Sequence, residues 1–231
     1  MATAKKEEFA RKLEQKTFQL LGPIHNGDKV ISEVTITEPI SYQVVHAQRA
    51  ADKDKNKHVL PCMLDVISDL PPGLALRLKA RDLGHISRWI KGLNEAALEA
   101  DGLIRPAATG GGDGDQNAVD PFEVGFDDAE FAALSDDEID GLESERTFDL
   151  LSPLQYEGRT IERLTCREPT IDVMMNATRF KTPAEVSIAL VAGITSETIP
   201  VINRLVQRDL VRLETWLTPF VQDLMAETGG T

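Results

Sequence analysis

The sequence predicts an α+β protein built from two tandem copies of a β-hairpin followed by three or four helices, joined by an acidic, Gly-rich linker. Three observations carry this: an internal repeat, a charge imbalance confined to mid-chain, and a change of apolar spacing inside each copy. Thr17-Phe18-Gln19-Leu20-Leu21-Gly22-Pro23-Ile24 returns as Thr147-Phe148-Asp149-Leu150-Leu151-Ser152-Pro153-Leu154. The offset of 130 residues then holds without a gap to Glu38-Pro39 and Glu168-Pro169. Nine of the 25 positions from 16 to 40 are identical to their counterparts, where residue usage alone gives roughly one or two. Further on the copies lock again at an offset of 127, pairing Leu78 with Leu205, Arg81-Asp82-Leu83 with Arg208-Asp209-Leu210, and Trp89 with Trp216. A repeat of this length implies a duplicated unit.

These offsets divide the chain of 231 residues. Residues 1–15 are expected to form an N-terminal amphipathic arm, with Phe9 and Leu13 at helical spacing. Residues 16–100 are expected to form the first module, 101–145 an acidic flexible linker with a short helix, 146–225 the second module and 226–231 a disordered tail. A unit of this size folds alone with a thin margin.

Each copy begins with alternating residues. Thr17 to Leu21 reads as a strand, Asn26-Gly27-Asp28 as a turn tolerant of positive φ, and Val30 to Thr37 as the return strand. Glu157-Gly158 makes the same turn in the second copy. Glu38-Pro39 closes the hairpin, because proline lacks the amide that continues a central strand. Helical spacing follows at Ile40 to Ala51 and at Ile171 to Phe180, then at Val59 to Asp69 and at Val186 to Thr195. Asp52 to Lys57 reads as a solvated loop that gives the first copy its three extra residues. Pro71-Pro72-Gly73 interrupts the first copy, whereas Thr198 to Val206 runs as a short helix started near Pro200. In the last helix pair, Leu83, Ile86, Trp89 and Ile90, and likewise Leu210, Leu213, Trp216 and Leu217, form an apolar stripe. Asp82 and Asp209 stand where a carboxylate caps free amides.

The net charge of −13 sits in one place. From Asp101 to Glu145 fourteen carboxylates face a single base, Arg105, so the remainder of the chain is neutral. Neither module has the clustered Lys/Arg needed to neutralise phosphates, which argues against nucleic-acid binding. No apolar run approaches the roughly 18 residues of a membrane span, and the charged N-terminus is unlike a signal peptide. A cytosolic protein without membrane attachment is expected. Cys62 and Cys166 fall at non-equivalent places and read as core thiols rather than a disulfide or metal pair.

Chemistry is hard to find. There is no GxSxG elbow, Walker loop, HExxH or CxxC. Asp113-Gly114-Asp115-Gln116-Asn117 opens like a calcium loop, but Ala118 occupies the sharp-turn glycine position and Val124 the bidentate glutamate. His46 and His58 have no counterparts in the other copy, while His25 and His85 align with Gln155 and Arg212. No catalytic, cofactor-binding or metal-ligating residue is expected, and the chain reads as non-enzymatic. In the linker, Phe122, Phe126, Phe131 and Leu134 stand singly among carboxylates, with Ser135 and Glu138 spaced for a capping box. This stretch is either a solvated linker ending in a helix or an acidic-aromatic segment that folds on a partner.

A strand with Leu-x-x-Pro, a Gly turn, a return strand with Thr-x-x-Glu-Pro, and a late Arg-Asp-Leu before a Trp helix resemble the phage tail assembly chaperones, small proteins of Mu-like and P2-like tailed phages. In the second copy the carrying residues are Leu151-Ser152-Pro153-Leu154, Gly158, Leu164-Thr165-Cys166-Arg167-Glu168-Pro169 and Asp209-Leu210. The first copy keeps Pro23, Gly27, Thr35, Glu38-Pro39 and Asp82-Leu83. The resemblance implies a non-enzymatic role in the host bacterial cytoplasm: holding the long helical tape-measure protein soluble and helping tail-tube subunits gather on it. It departs from the single copy usual there, and no binding residue transfers. A structural tail or baseplate component is the alternative, with a small hydrolase or transferase more remote. The residues that define the repeat are Phe18, Pro23, Glu38, Pro39, Asp82 and Trp89, and Phe148, Pro153, Glu168, Pro169, Asp209 and Trp216.

Overall fold

Alternation in the first strand of each copy sets up the whole arrangement. Phe148, Leu150, Ser152 and Leu154 are buried at every second position of Glu145–Tyr156, while Asp149, Leu151, Pro153 and Gln155 face outward. A strand with one apolar face must lay that face on helices. The computed structural model describes residues 13–53, 58–103 and 143–228, with side chains to Val221. Two antiparallel hairpins lie in separate two-stranded sheets: β1 (Gln15–Asn26) with β2 (Lys29–Thr37), and β3 (Glu145–Tyr156) with β4 (Arg159–Arg167). The mixed α+β class expected from the sequence holds, with each hairpin followed by helices.

The two hairpins share their register residue for residue. Gln15 pairs with Thr37 and Gln19 with Glu33, as Glu145 pairs with Arg167 and Asp149 with Arg163. Both ladders then slip, resuming at Ile24 opposite Ile31 and at Leu154 opposite Ile161. Pro23 and Pro153, both exposed, fall in the slipped stretch, where a residue without an amide costs no ladder bond. The first strand therefore continues past Leu21, where the sequence places its end, to Asn26, as its counterpart does to Tyr156. Gly27 has φ 60°, whereas the second hairpin turns through Glu157 at φ 49° and Gly158 at φ 81°, the type I′ pattern. Thr17 and Thr35 bond through their hydroxyls at 3.0 Å, as do Thr147 and Thr165 at 2.9 Å.

In the first module α1 (Ser41–Lys53), α2 (Val59–Ile67), a 3₁₀ turn (Leu74–Arg77) and α3 (Ala80–Ala100) follow the hairpin. The second has α4 (Ile171–Ala177), α5 (Pro183–Thr195), α6 (Ile199–Ile202) and α7 (Gln207–Thr228). Helix α4 stops three residues short of the expected Phe180. Helix α5 starts earlier than expected, at Pro183, because Thr182 accepts from the Glu185 amide and Glu185 returns the bond, a capping box with proline at the first turn. Helix α6 is a single turn; Asn203 to Val206 leaves the helix to meet the other module. Helix α7 continues to Thr228, past the boundary at 225.

Each module has its own core, and one residue crosses between them. Val34, Ile36, Met63, Leu64, Ile86 and Ile90 centre the first. Leu164, Ile188, Val191, Leu205, Leu213 and Leu217 centre the second, and Val45 of α1 packs into it. Phe18 meets Trp89 edge-on at 6.0 Å, and Phe148 meets Trp216 in the same way at 6.4 Å. Trp216 is buried and Trp89 half-buried. Cys166 is sealed in the second core, where burial pushes its thiol up to about 12. Cys62 is only partly buried, so the expectation of two core thiols holds in full for one; neither forms a disulfide among the described residues. Residues 104–142 of the acidic linker, with Phe122, Phe126, Phe131, Leu134, Ser135 and Glu138, lie outside the described residues, as does Phe9.

Candidate interaction surface

Asp82 and Asp209 do more than sit at a helix start. Leu21 donates its amide to Asp82 Oδ1 at 3.1 Å, and Leu151 donates to Asp209 Oδ1 at 3.0 Å. Each aspartate thus latches the slipped stretch of its own hairpin, where amides freed from the ladder need acceptors. The cap position of α3 belongs to Lys79, so the reading of Asp82 as a cap is corrected. Asp209 takes further bonds from the Ser152 amide and from Arg212. Burial raises its carboxyl above the ordinary range, against the pull of the Leu151 amide and Arg212. Asp82 has no such arginine, because His85 stands at the position of Arg212, and its Oδ2 finds no partner.

Arg212 reaches further than its own module. It donates to both oxygens of Asp101, at 2.5 and 2.9 Å, and to the Asp149 carbonyl at 3.0 Å. Asp101 caps the C-terminal end of α3. The first carboxylate of the acidic stretch is therefore a fixed part of the joint between modules. Burial would lower the Arg212 guanidinium, but its bonds to Asp101 and then Asp209 outweigh this and hold it above its usual value.

The main contact between modules runs from Glu38 to Arg49. Arg208 clasps buried Glu38 with two bonds of 2.5 and 2.9 Å. Gln207 donates its amide to the Pro39 carbonyl, Ser41 donates its amide and hydroxyl to the Leu205 carbonyl, and Tyr42 donates to Asn203. Ile40 and Val206 form an isolated antiparallel bridge. Farther along α1, Gln48 accepts from the Ala184 amide, and Arg49 pairs with Glu185 of the capping box. Arg49, first among several partners, lowers the Glu185 carboxyl. Alongside, α3 and α7 pack against each other.

Above this contact lies a shallow cleft of about 200 Å³, open to solvent, between the modules. Tyr42, Val45, His46 and Arg49 of α1 form one wall, and Ile188, Ile199 and Phe180 contribute to the other. Tyr42 and Phe180 are exposed aromatic rings at its mouth. The shape suits a single large apolar side chain, with Arg49, Glu185 and Asn203 as polar rim, and nothing in it resembles an acid–base or nucleophilic pair. Among the described residues no cluster of three or more His, Cys, Asp or Glu could hold a metal ion, and no helix is long and apolar enough to cross a membrane.

The repeat-defining residues thus part company. Glu38, Pro39, Asp82, Phe148, Asp209 and Trp216 are buried in joints or cores, whereas Glu168 is exposed and Pro169 half-exposed. Sequence reasoning missed Tyr42 and Phe180 as surface features. It also left Arg208 without a partner, because a Glu and an Arg that recur in both copies do not show which copy's residues meet.

Residues 147–222 match the family model described as phage tail assembly chaperone proteins, E, or 41 or 14. The match spans the second module from β3 into α7 and does not reach the first. No curated protein and no solved structure matches the chain.

Proposed function

We propose that this chain is a non-enzymatic phage or prophage tail assembly chaperone that binds the helical tape-measure protein in the host bacterial cytoplasm and assists tail assembly. The family match of the second module supports the tail-assembly role. The observation that carries the client-binding reading is the cleft between modules, with Tyr42 and Phe180 exposed at its mouth. A long helical client exposes apolar stripes that aggregate when uncovered, and an apolar pocket beside a helix takes one anchor residue of such a stripe.

The shared hairpin register and the matched aspartate latches support descent of both modules from one duplicated unit. In this reading the linker residues Phe122, Phe126, Phe131 and Leu134 add a second contact, and tethered contacts strengthen each other through effective concentration. Tail-tube subunits are the further partner.

Co-expression with a tape-measure fragment tests the proposal. The fragment is expected to stay soluble and co-purify with the wild-type chain, and to aggregate with the Tyr42→Asp/Phe180→Asp variant. A fragment equally soluble without the chain would count against it. Mass spectrometry of finished particles is expected to find the chain absent; stoichiometric presence would instead make it a structural tail or baseplate component.

A further inference from the structure

One half of the contact between modules is repeated elsewhere on the chain, with no cover among the described residues. At the offset of 130, Glu168-Pro169 stand where Glu38-Pro39 do, Ile171 where Ser41 does and Met175 where Val45 does. In the first module that strip is buried beneath the second. In the second module Glu168 is exposed, and Ile171 and Met175 are 72% and 62% exposed. The other half is bare as well. At the offset of 127, Arg81 stands where Arg208 does and Leu76 where Asn203 does. Arg81, Ala80 and Lys79 are exposed, and Leu76 is 63% exposed. Among the described residues neither Glu168 nor Arg81 has an ion-pair partner.

We propose that these two half-interfaces bind each other between chains, the Glu168–Met175 strip of one chain seating on the Leu76–Arg81 strip of the next. The occupant is therefore a second copy of this chain. The joint inside the chain is the template: a carboxylate clasped by a guanidinium, a backbone amide donated to the proline carbonyl, and an apolar helix residue pressed into the opposite core.

Three substitutions between the strips point the same way, while Ile40, Tyr42 and Val206 are answered by the more polar Thr170, Asp172 and Lys79. Where the covered strip has Ser41 and Val45, the bare one has the larger apolar Ile171 and Met175, and Asn203 is answered by Leu76. A strip left permanently in water has no physical reason to gain apolar bulk at the positions that its twin buries. Methionine suits a surface that must adapt to a partner. The contact cannot complete itself within one chain. A two-fold relation between modules would form both halves at once, whereas Glu38 meets Arg208 while Glu168 and Arg81 stay apart. Such a heterologous contact, repeated head to tail, closes into a ring or runs on as a filament.

Sedimentation of the full-length chain across a concentration series tests this, and it needs no client. The weight-average mass is expected to rise above that of the 25.4 kDa chain. Glu168→Arg and Arg81→Glu, each alone, are expected to weaken association about tenfold or more. The double variant Glu168→Arg/Arg81→Glu should recover most of the loss, because each reversed charge then meets its reversed partner. Met175→Asp should abolish association. All three positions are exposed, and far-UV circular dichroism checks that the variants stay folded. A chain that remains monomeric throughout, or association indifferent to both reversals, overturns the proposal; the apolar strip is then covered by another segment of the chain or by a different protein.

Discussion

Arg208 of the second module holds Glu38 of the first through both carboxylate oxygens, and Glu38 is almost entirely withdrawn from water. A carboxylate buried in this way depends on its partner, because its lost hydration is offset mainly by the pair, with the Glu14 amide adding one bond at 3.3 Å. Arg208→Ala is expected to lower the free energy of unfolding by about 3 kcal/mol, measured by urea denaturation. The Glu38→Gln/Arg208→Met double variant should lose clearly less, since no unpaired charge is left behind. Equal losses in the two variants would mean that the pair acts by packing alone.

The two aspartate latches offer an internal comparison. Asp209 serves two amides and Arg212, while Asp82 serves one amide and leaves an oxygen unpartnered. Asp209→Asn is expected to cost about 2 kcal/mol, in the range of hydrogen bonds to charged groups, and Asp82→Asn less than half of that. Thermal unfolding of the two single variants checks the order. Placing an arginine at His85 should bring the first latch toward the second by supplying the missing donor.

The hairpins, helix order and apolar stripes were legible because each depends on local spacing. Thr17 to Leu21 and Val30 to Thr37 alternate, and Leu83, Ile86, Trp89 and Ile90 recur at helical intervals. The Thr182-Pro183-Ala184-Glu185 start of α5 was also written in the chain as a capping signature, and reading Val186 as the start passed over it. The joint between modules was hidden for a different reason. Glu38 and Glu168 are the same residue in the same local pattern, and only the relative placement of the modules buries one and exposes the other. A repeat shows which residues are equivalent, but not which equivalent partners meet.

Gly193 marks where α4 crosses close to α5. A Cβ added there would collide with Val173 Cγ1, and Val173 is stiff about its own Cβ. Alanine improves helix propensity by about 1 kcal/mol, but overpacking of this kind costs about 1–3 kcal/mol. Gly193→Ala is therefore expected to lower the melting temperature, and Gly193→Ala/Val173→Ala to regain part of it. A raised melting temperature in the single variant would show that α4 yields without resistance.

Glu214 of α7 lies buried with one oxygen accepting from Ser187 of α5, and burial, opposed by that bond, raises its carboxyl from 4.5 to about 7. Between these values the folded chain keeps a proton that the unfolded chain has released. The stability tied to this group is therefore complete below the ordinary carboxylate range and falls as pH rises toward about 7. The full loss is about 3 kcal/mol, the shift converted at 1.36 kcal/mol per pH unit. Glu214→Gln keeps an acceptor for Ser187 and removes the titration. Urea midpoints are expected to differ little between wild type and variant near pH 5, and to favour the variant increasingly up to pH 8. Asp209, also raised by burial, is present in both proteins, so the difference between them isolates Glu214. A difference that stays constant across this range would place the titration of Glu214 outside it, and would mean that water or a further donor reaches the carboxylate between α5 and α7.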